Sequence, residues 1–201
     1  RFGAQHSQTG ENWLYQHPGQ KVYCPATPAD AYELLSAAIA DVAPVIVLEH
    51  KGLMSTKGEV EAPVEPGNVE IGPKVVREGS DVTIVASLAM VRRCLEAADA
   101  LASQGIDAEV INLRVLRPLV IAPIIDSVIK TGSLIAVEEA QPIGGWSGDV
   151  VAQAVMGAFD YLDRPPVRVT LPDWPMPYSP GLEDAAMPSV ERIVDAVTGS
   201  R

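Results

Sequence analysis

Apolar residues in this chain recur in two patterns. Short, mostly apolar runs bounded by polar or turn residues, at residues 45–48, 82–86, 108–111, 134–137 and 167–169, predict strands of a parallel sheet, and the unbroken run at 45–48 predicts one buried on both faces. Residues 22–24 predict one more short strand, followed by a turn over residues 25–28. The segments between the strands carry helical spacing instead. Over residues 29–41, Ala31, Leu34, Leu35, Ala38 and Ile39 fall on one face, with Thr27 placed to cap the helix and Pro28 to start it. Residues 90–103 gather Val91, Cys94, Leu95, Ala98 and Leu101 into one stripe and send Arg92, Arg93, Glu96 and Asp99 to water, before Gly105 ends the helix. Cys94 is thereby a core thiol. Further helices are predicted over residues 122–130, closed by Gly132, near 148–159 and over 189–197.

Alternating strands and helices define an α/β fold, with the second half a doubly wound sheet built by right-handed crossovers. Residues 58–72 interrupt the alternation. They hold Pro63, Pro66 and Gly67, four carboxylates at Glu59, Glu61, Glu65 and Glu70, and no Lys or Arg, so they read as a surface linker. The tail from Leu171 to Pro180 is too proline-rich for regular structure and predicts an ordered wrap. Trp174, Met176 and Tyr178, spaced by two, would form one apolar face in an extended chain, either docking onto another domain or subunit or covering the chain's own sheet.

Charge narrows the function classes. Lys and Arg number 15 against 26 Asp and Glu, a formal net charge of −11 that excludes a nucleic-acid backbone as natural partner. No window approaches the roughly 18 apolar residues of a membrane span. Two cysteines, Cys24 and Cys94, with no paired spacing fit a reducing compartment, so a cytoplasmic location is expected, or the mitochondrial matrix in a eukaryote. The chain opens on Arg1 without Met, and residues 1–8 have no secretory pattern, so we expect it to begin inside a larger protein.

Motif by motif, the residues leave alternatives open. Gly144-Gly145-Trp146-Ser147-Gly148 follows the acidic pair Glu138-Glu139 and opens a helix. Its amides can hold an anion, or the glycines can serve close packing around an anchoring Trp146. Of three histidines, His6 alone lies in a polar, glycine-containing segment; it is either a solvated loop imidazole or a group placed to move protons or hold a carboxylate. His17 reads as part of a turn and His50 as a satisfied packing histidine. Asp41 stands at a helix C-terminus, against the macrodipole. There it is an exposed acid or part of an oxygen nest for a hard cation.

Six segments in order, GAQHSQ (residues 3–8), HPGQKVYCPATPADA (17–31), VIVLEHK (45–51), VVREGSDVTIVA (75–86), FDYLDRPPVRVT (159–170) and PDWPMPYSPGLED (172–184), resemble the beta subunit of the decarboxylating component of 2-oxo acid dehydrogenase complexes. That family is a branch of the transketolase-like thiamine-diphosphate enzymes, and PMPYSPGLED resembles its pyruvate branch. The resemblance implies that residues 1–57 are the latter part of a pyrimidine-binding domain, 58–72 a linker and 73–201 a transketolase C-terminal domain. It implies that His6 is the active-site histidine, handling the substrate or the lipoyl acceptor. It also implies that the corner containing Ala38, Asp41 and Ala43 is a structural potassium loop, Asp41 lending a carboxylate oxygen and its neighbours carbonyls.

The family's catalytic glutamate lies upstream of GAQHSQ, and its diphosphate and magnesium belong to the alpha subunit. The resemblance therefore implies an alpha2beta2 assembly in which thiamine diphosphate binds between subunits and this polypeptide alone is inactive. Its other expected partners are a small-molecule 2-oxo acid, pyruvate first with acetoin and branched-chain acids open, and the basic subunit-binding domain of the lipoyl acyltransferase core, with Glu183, Asp184, Glu191 and Asp195 as candidate contacts. Residues 1–51 would leave an exposed sheet edge unless other residues complete it. A non-catalytic assembly module of transketolase C-terminal type is the rival reading.

Overall fold

The computed structural model describes residues 3–199; Arg1 and Arg201, the outer ends of the two expected domains, lie outside the described residues. The first region comprises α1 (Gly3–His6), α2 (Glu11–Gln16), β1 (Lys21–Tyr23), α3 (Pro28–Ala40) and β2 (Val45–Val47). A turn of 3-10 helix at Pro66–Asn68 then leads to β3 (Lys74–Arg77), β4 (Val82–Ala86), α4 (Ala89–Ala102), β5 (Ala108–Asn112), β6 (Val115–Arg117), α5 (Ala122–Thr131) and β7 (Leu134–Val137). The chain closes with α6 (Trp146–Ala158), β8 (Val167–Val169), α7 (Pro180–Ala186) and α8 (Val190–Thr198).

Five strands in the order β3-β5-β4-β7-β8 make the larger sheet, parallel throughout except for β3 at one edge. The period-2 alternation of β4 divides its core. Val82, Ile84 and Ala86 pack against α4 and α8, while Val85 faces α5 and α6. Thr83 shares that second face, where its hydroxyl bonds Ser127 and Thr131, so a polar residue is tolerated in a fully buried strand. On α4 the expected apolar stripe is buried, but Arg93 turns inward and donates to the Pro188 carbonyl at 2.5 Å instead of pointing to water.

The smaller sheet has the order β2-β1-β6. β1 and β2 are parallel, and β6, supplied from beyond the linker, pairs antiparallel with β1. The β1 edge that the first region would expose is thus covered by the second, while β2 stays an edge strand. Val22 and Cys24 face the larger core, whereas Tyr23 packs with Leu34 and Val115 in a small cluster of its own. Thr27 caps α3 through a reciprocal box with Asp30, as the sequence predicts, and Pro28 opens the helix.

Two expectations are corrected. The linker is not wholly a surface segment: Val69 and Ile71 pack on the Tyr23 cluster, and the Glu70 and Gly72 carbonyls accept from the fully buried Arg114 at 2.8 and 3.3 Å. Arg114 also donates through Nε to Asp30 at 2.6 Å and pairs with Glu33, which locks linker, α3 and the β5–β6 connection together. In the tail, the wrap ends in α7, and the stripe spaced by two does not form one face. Met176 is buried with Leu171 and Ala186, while Trp174 and Tyr178 are exposed.

Candidate functional site

Both sheets end their parallel strands on one cleft of about 530 Å³ between the two regions. Leu48, Glu49 and His50 follow β2, Leu88 follows β4 and Glu139 follows β7. The carboxyl ends of parallel strands are where an α/β sheet offers unpaired groups to a ligand. Leu88 lies in the left-handed region at φ 49°, an uncommon conformation for a non-glycine residue, at the floor of this cleft.

His6, exposed at the end of α1, stands on the cleft rim with the following residues through Glu11. Its turn is seated by Gly3, at φ 66°, where any side chain would run into the Tyr178 ring. The opposite wall is α7, which supplies Glu183 and Asp184. Of the four expected docking carboxylates, Glu183 and Asp184 thus line the cleft, Glu183 buried and Asp184 exposed.

His50 accepts the Gly52 N–H at Nδ1 at 3.0 Å, so its proton resides on Nε2, which lies 3.3 Å from both carboxylate oxygens of Glu139. This pair bridges the two regions across the cleft. Behind it, Glu138 takes the backbone N–H groups of Trp146 and Ser147 at 3.0 and 3.2 Å. The anion held by the glycine-rich turn is thus the chain's own carboxylate. Gly145 is required there because a Cβ would meet that carboxylate. Burial pushes the Glu138 carboxyl up, offset by its bonds to Ser147 and Trp146 and by Arg168 at 3.8 Å.

Trp146, fully buried, donates its indole N–H to Glu11 at 2.9 Å. Glu11 is itself buried; desolvation first, then the Glu138 charge, pushes its carboxyl up to about 8. Both cysteine thiols are buried and raised by desolvation, which leaves neither poised as a nucleophile.

The metal candidates lie elsewhere. Asp41 ends α3 on the amino side of β2, away from the cleft. Its carboxylate pairs with Lys21 and accepts the Ala43 N–H at 2.9 Å, and these bonds hold its pKa down. Each carboxylate oxygen keeps acceptor capacity beyond these bonds, so the carboxylate and the neighbouring backbone carbonyls are the oxygen donors at this corner. Among the described residues no group of three His, Cys, Asp or Glu side chains is placed to hold a metal ion, and no helix is long and apolar enough to cross a membrane.

The structure therefore gathers His6 with His50, Glu139 and Glu183 and excludes Ala38, Asp41 and Ala43 from that set. The strand-end positions of Glu49-His50 and Glu138-Glu139 were available as a signal in the sequence; the burial of Glu11 had none, because only the docking of α2 produces it.

Two α/β regions whose strands end on a shared cleft define a two-domain α/β protein. The family described as transketolase, C-terminal domain, matches residues 73–193, and the transketolase pyrimidine binding domain matches residues 2–57. The chain belongs to the transketolase family.

Within that family it is 44% identical over 197 residues to the pyruvate dehydrogenase E1 component subunit beta, mitochondrial, of Dictyostelium discoideum, covering 96% of this chain and 55% of that one. Identity to the pyruvate dehydrogenase E1 component subunit beta of Rhizobium meliloti is 41%, covering 98% of this chain and 43% of that one. The acetoin:2,6-dichlorophenolindophenol oxidoreductase subunit beta of Cupriavidus necator is 43% identical, with 98% and 58% covered. The chain spans about half the length of these relatives. Among solved structures, a split-gene transketolase described as an inactive beta4 tetramer superposes with a TM-score of 0.79 at 29% identity, covering 98% of this chain and 63% of that one.

Proposed function

We propose that the chain serves as part of a beta subunit of a thiamine-diphosphate-dependent 2-oxo acid dehydrogenase, with residues 1–57 and 73–201 as its pyrimidine-binding and C-terminal regions. The observation that carries this reading is His6 on the rim of a cleft built from the carboxyl ends of both sheets, in a chain 41–46% identical to pyruvate dehydrogenase beta subunits. Pyruvate is the preferred substrate; the acetoin-type relative makes acetoin the second candidate.

The cleft suits the cationic ring of thiamine diphosphate better than its phosphates. The amides opening α6 are taken by Glu138, and Glu49, Glu139, Glu183 and Asp184 outnumber Lys51 and Arg93 along the walls. This division supports an alpha subunit that holds diphosphate and magnesium in an alpha2beta2 assembly. When bound, the cofactor supplies an electron sink for cleavage of the carboxyl group. His6 holds or passes a proton at its ring nitrogen to the substrate or to the lipoyl sulfur. The His50–Glu139 pair holds the two walls in register. The exposed Glu191 and Asp195 on α8 remain the candidates for contact with a basic subunit-binding domain of the acyltransferase core. A potassium ion at the Ala38, Asp41 and Ala43 corner would be held by the Asp41 carboxylate and by backbone carbonyls of its neighbours, and a cytoplasmic or matrix location follows from the same reading.

The test is turnover by the assembly with the cognate alpha subunit on pyruvate, acetoin and branched-chain oxo acids. His6→Ala is expected to lower it by about 10²–10⁴-fold. Unchanged turnover removes His6 from the chemistry.

A further inference from the structure

We propose that Glu11 is the positioning residue that ties the His6-bearing turn to the second region, through the indole N–H of Trp146. The inference rests on the reading of His6 given above. Glu11 opens α2 five positions after His6 and is 2% exposed. Its carboxyl accepts the Trp146 indole N–H at 2.9 Å, and Trp146 is itself 0% exposed. The remaining links from α2 to the second region are more open: Tyr15 bonds Asp149, the Arg117 guanidinium donates to the Tyr15 carbonyl at 3.1 Å, and Asn12 reaches the Gln141 carbonyl at 3.4 Å. Among the described residues, Glu11 alone on α2 bonds second-region side chains that are, like itself, withdrawn from water, Trp146 and Ser87, so its loss leaves unsatisfied groups behind.

The charges around Glu11 decide its state. Glu138 and Glu139 face it from the end of β7, with His50, after β2, bonded to Glu139 and Arg168 from β8 paired with Glu138. The Ser87 hydroxyl after β4 bonds it, and the Cys24 thiol just after β1 feels its charge. Two carboxylates thus oppose a third, and the cations nearby are already engaged. Burial and the Glu138 charge hold Glu11 neutral below about pH 8. Ionisation above that places a third negative charge in the contact and loosens α2.

Trp146 reports the contact directly once Trp13 and Trp174, both exposed, are replaced by Phe. In that full-length background its emission is expected to stay blue and shielded from acrylamide at pH 7. It should shift red and become quenchable with a midpoint near pH 8, and Glu11→Gln, which keeps the acceptor without the charge, should abolish the shift. Glu11→Ala is expected to speed amide exchange over residues 4–10 by about tenfold or more while β4 and β7 keep their protection, a local opening that general destabilisation would not give. A flat emission profile, an unaltered shift in Glu11→Gln, or exchange that rises equally in β4 and β7 overturns the proposal. His6→Ala leaves the Trp146 signal unchanged whether or not turnover is lost, so a failed catalytic reading is separable from a failed Glu11 contact.

Discussion

The two sheets of this molecule are stabilised in different ways. The larger one buries residues on both faces, with separate apolar clusters under α4 and α8 and under α5 and α6. The smaller one has one cluster of its own around Tyr23, Leu34 and Val115, and one of those three comes from beyond the linker. Its completeness depends on loans: β6 closes its edge, Arg114 neutralises Asp30 and Glu33, and Val22 and Cys24 are buried by the other core. A region that carries a site on its rim can thus be assembled with little core of its own, provided that its neighbour supplies hydrogen-bond partners as well as apolar surface.

The largest expected effect tests that dependence. Arg114→Met takes the buried guanidinium from Asp30, which keeps only neutral donors, and from Glu33, which keeps Lys74; it should cost about 3–5 kcal/mol, with amide protection lost first in β1 and β2 while β4 and β7 remain protected. Ile84→Ala, in the middle of the larger sheet, should cost about 2–5 kcal/mol; here chemical denaturation should show both regions failing together, because the smaller has nothing to lean on. Next comes pH. Glu11 binds its proton more tightly folded than unfolded, so its contribution is complete below about 4.5 and is lost as pH rises towards about 8. Denaturation midpoints should fall across that window in the native chain and flatten in Glu11→Gln. Thr27→Ala removes only the cap of α3 and should cost about 1 kcal/mol, measured as a small drop in Tm with the larger sheet unaffected.

The apolar strands and the striped helices were legible because each carries its own pattern, unbroken in β7, interrupted only by Thr83 in β4 and at helical spacing in α4. β3 and β6 were not. Lys74–Arg77 and Val115–Arg117 are short antiparallel edge strands whose partners lie far along the chain, and only pairing makes them strands. The same holds for α2 and α7, of six and seven residues, which are held by what they dock against. At the site, His6 was identified by resemblance, while Glu11 and Glu183 look like ordinary surface acids until tertiary packing removes their water.

The placement of β6 has a consequence for heredity. Its flanking elements β5 and α5 belong to one sheet and it belongs to the other, so an exchange of gene segments at the linker would hand over a strand whose proper neighbour stayed behind. The two regions are bound to evolve as a couple, each change at β1 judged by a residue some ninety positions away.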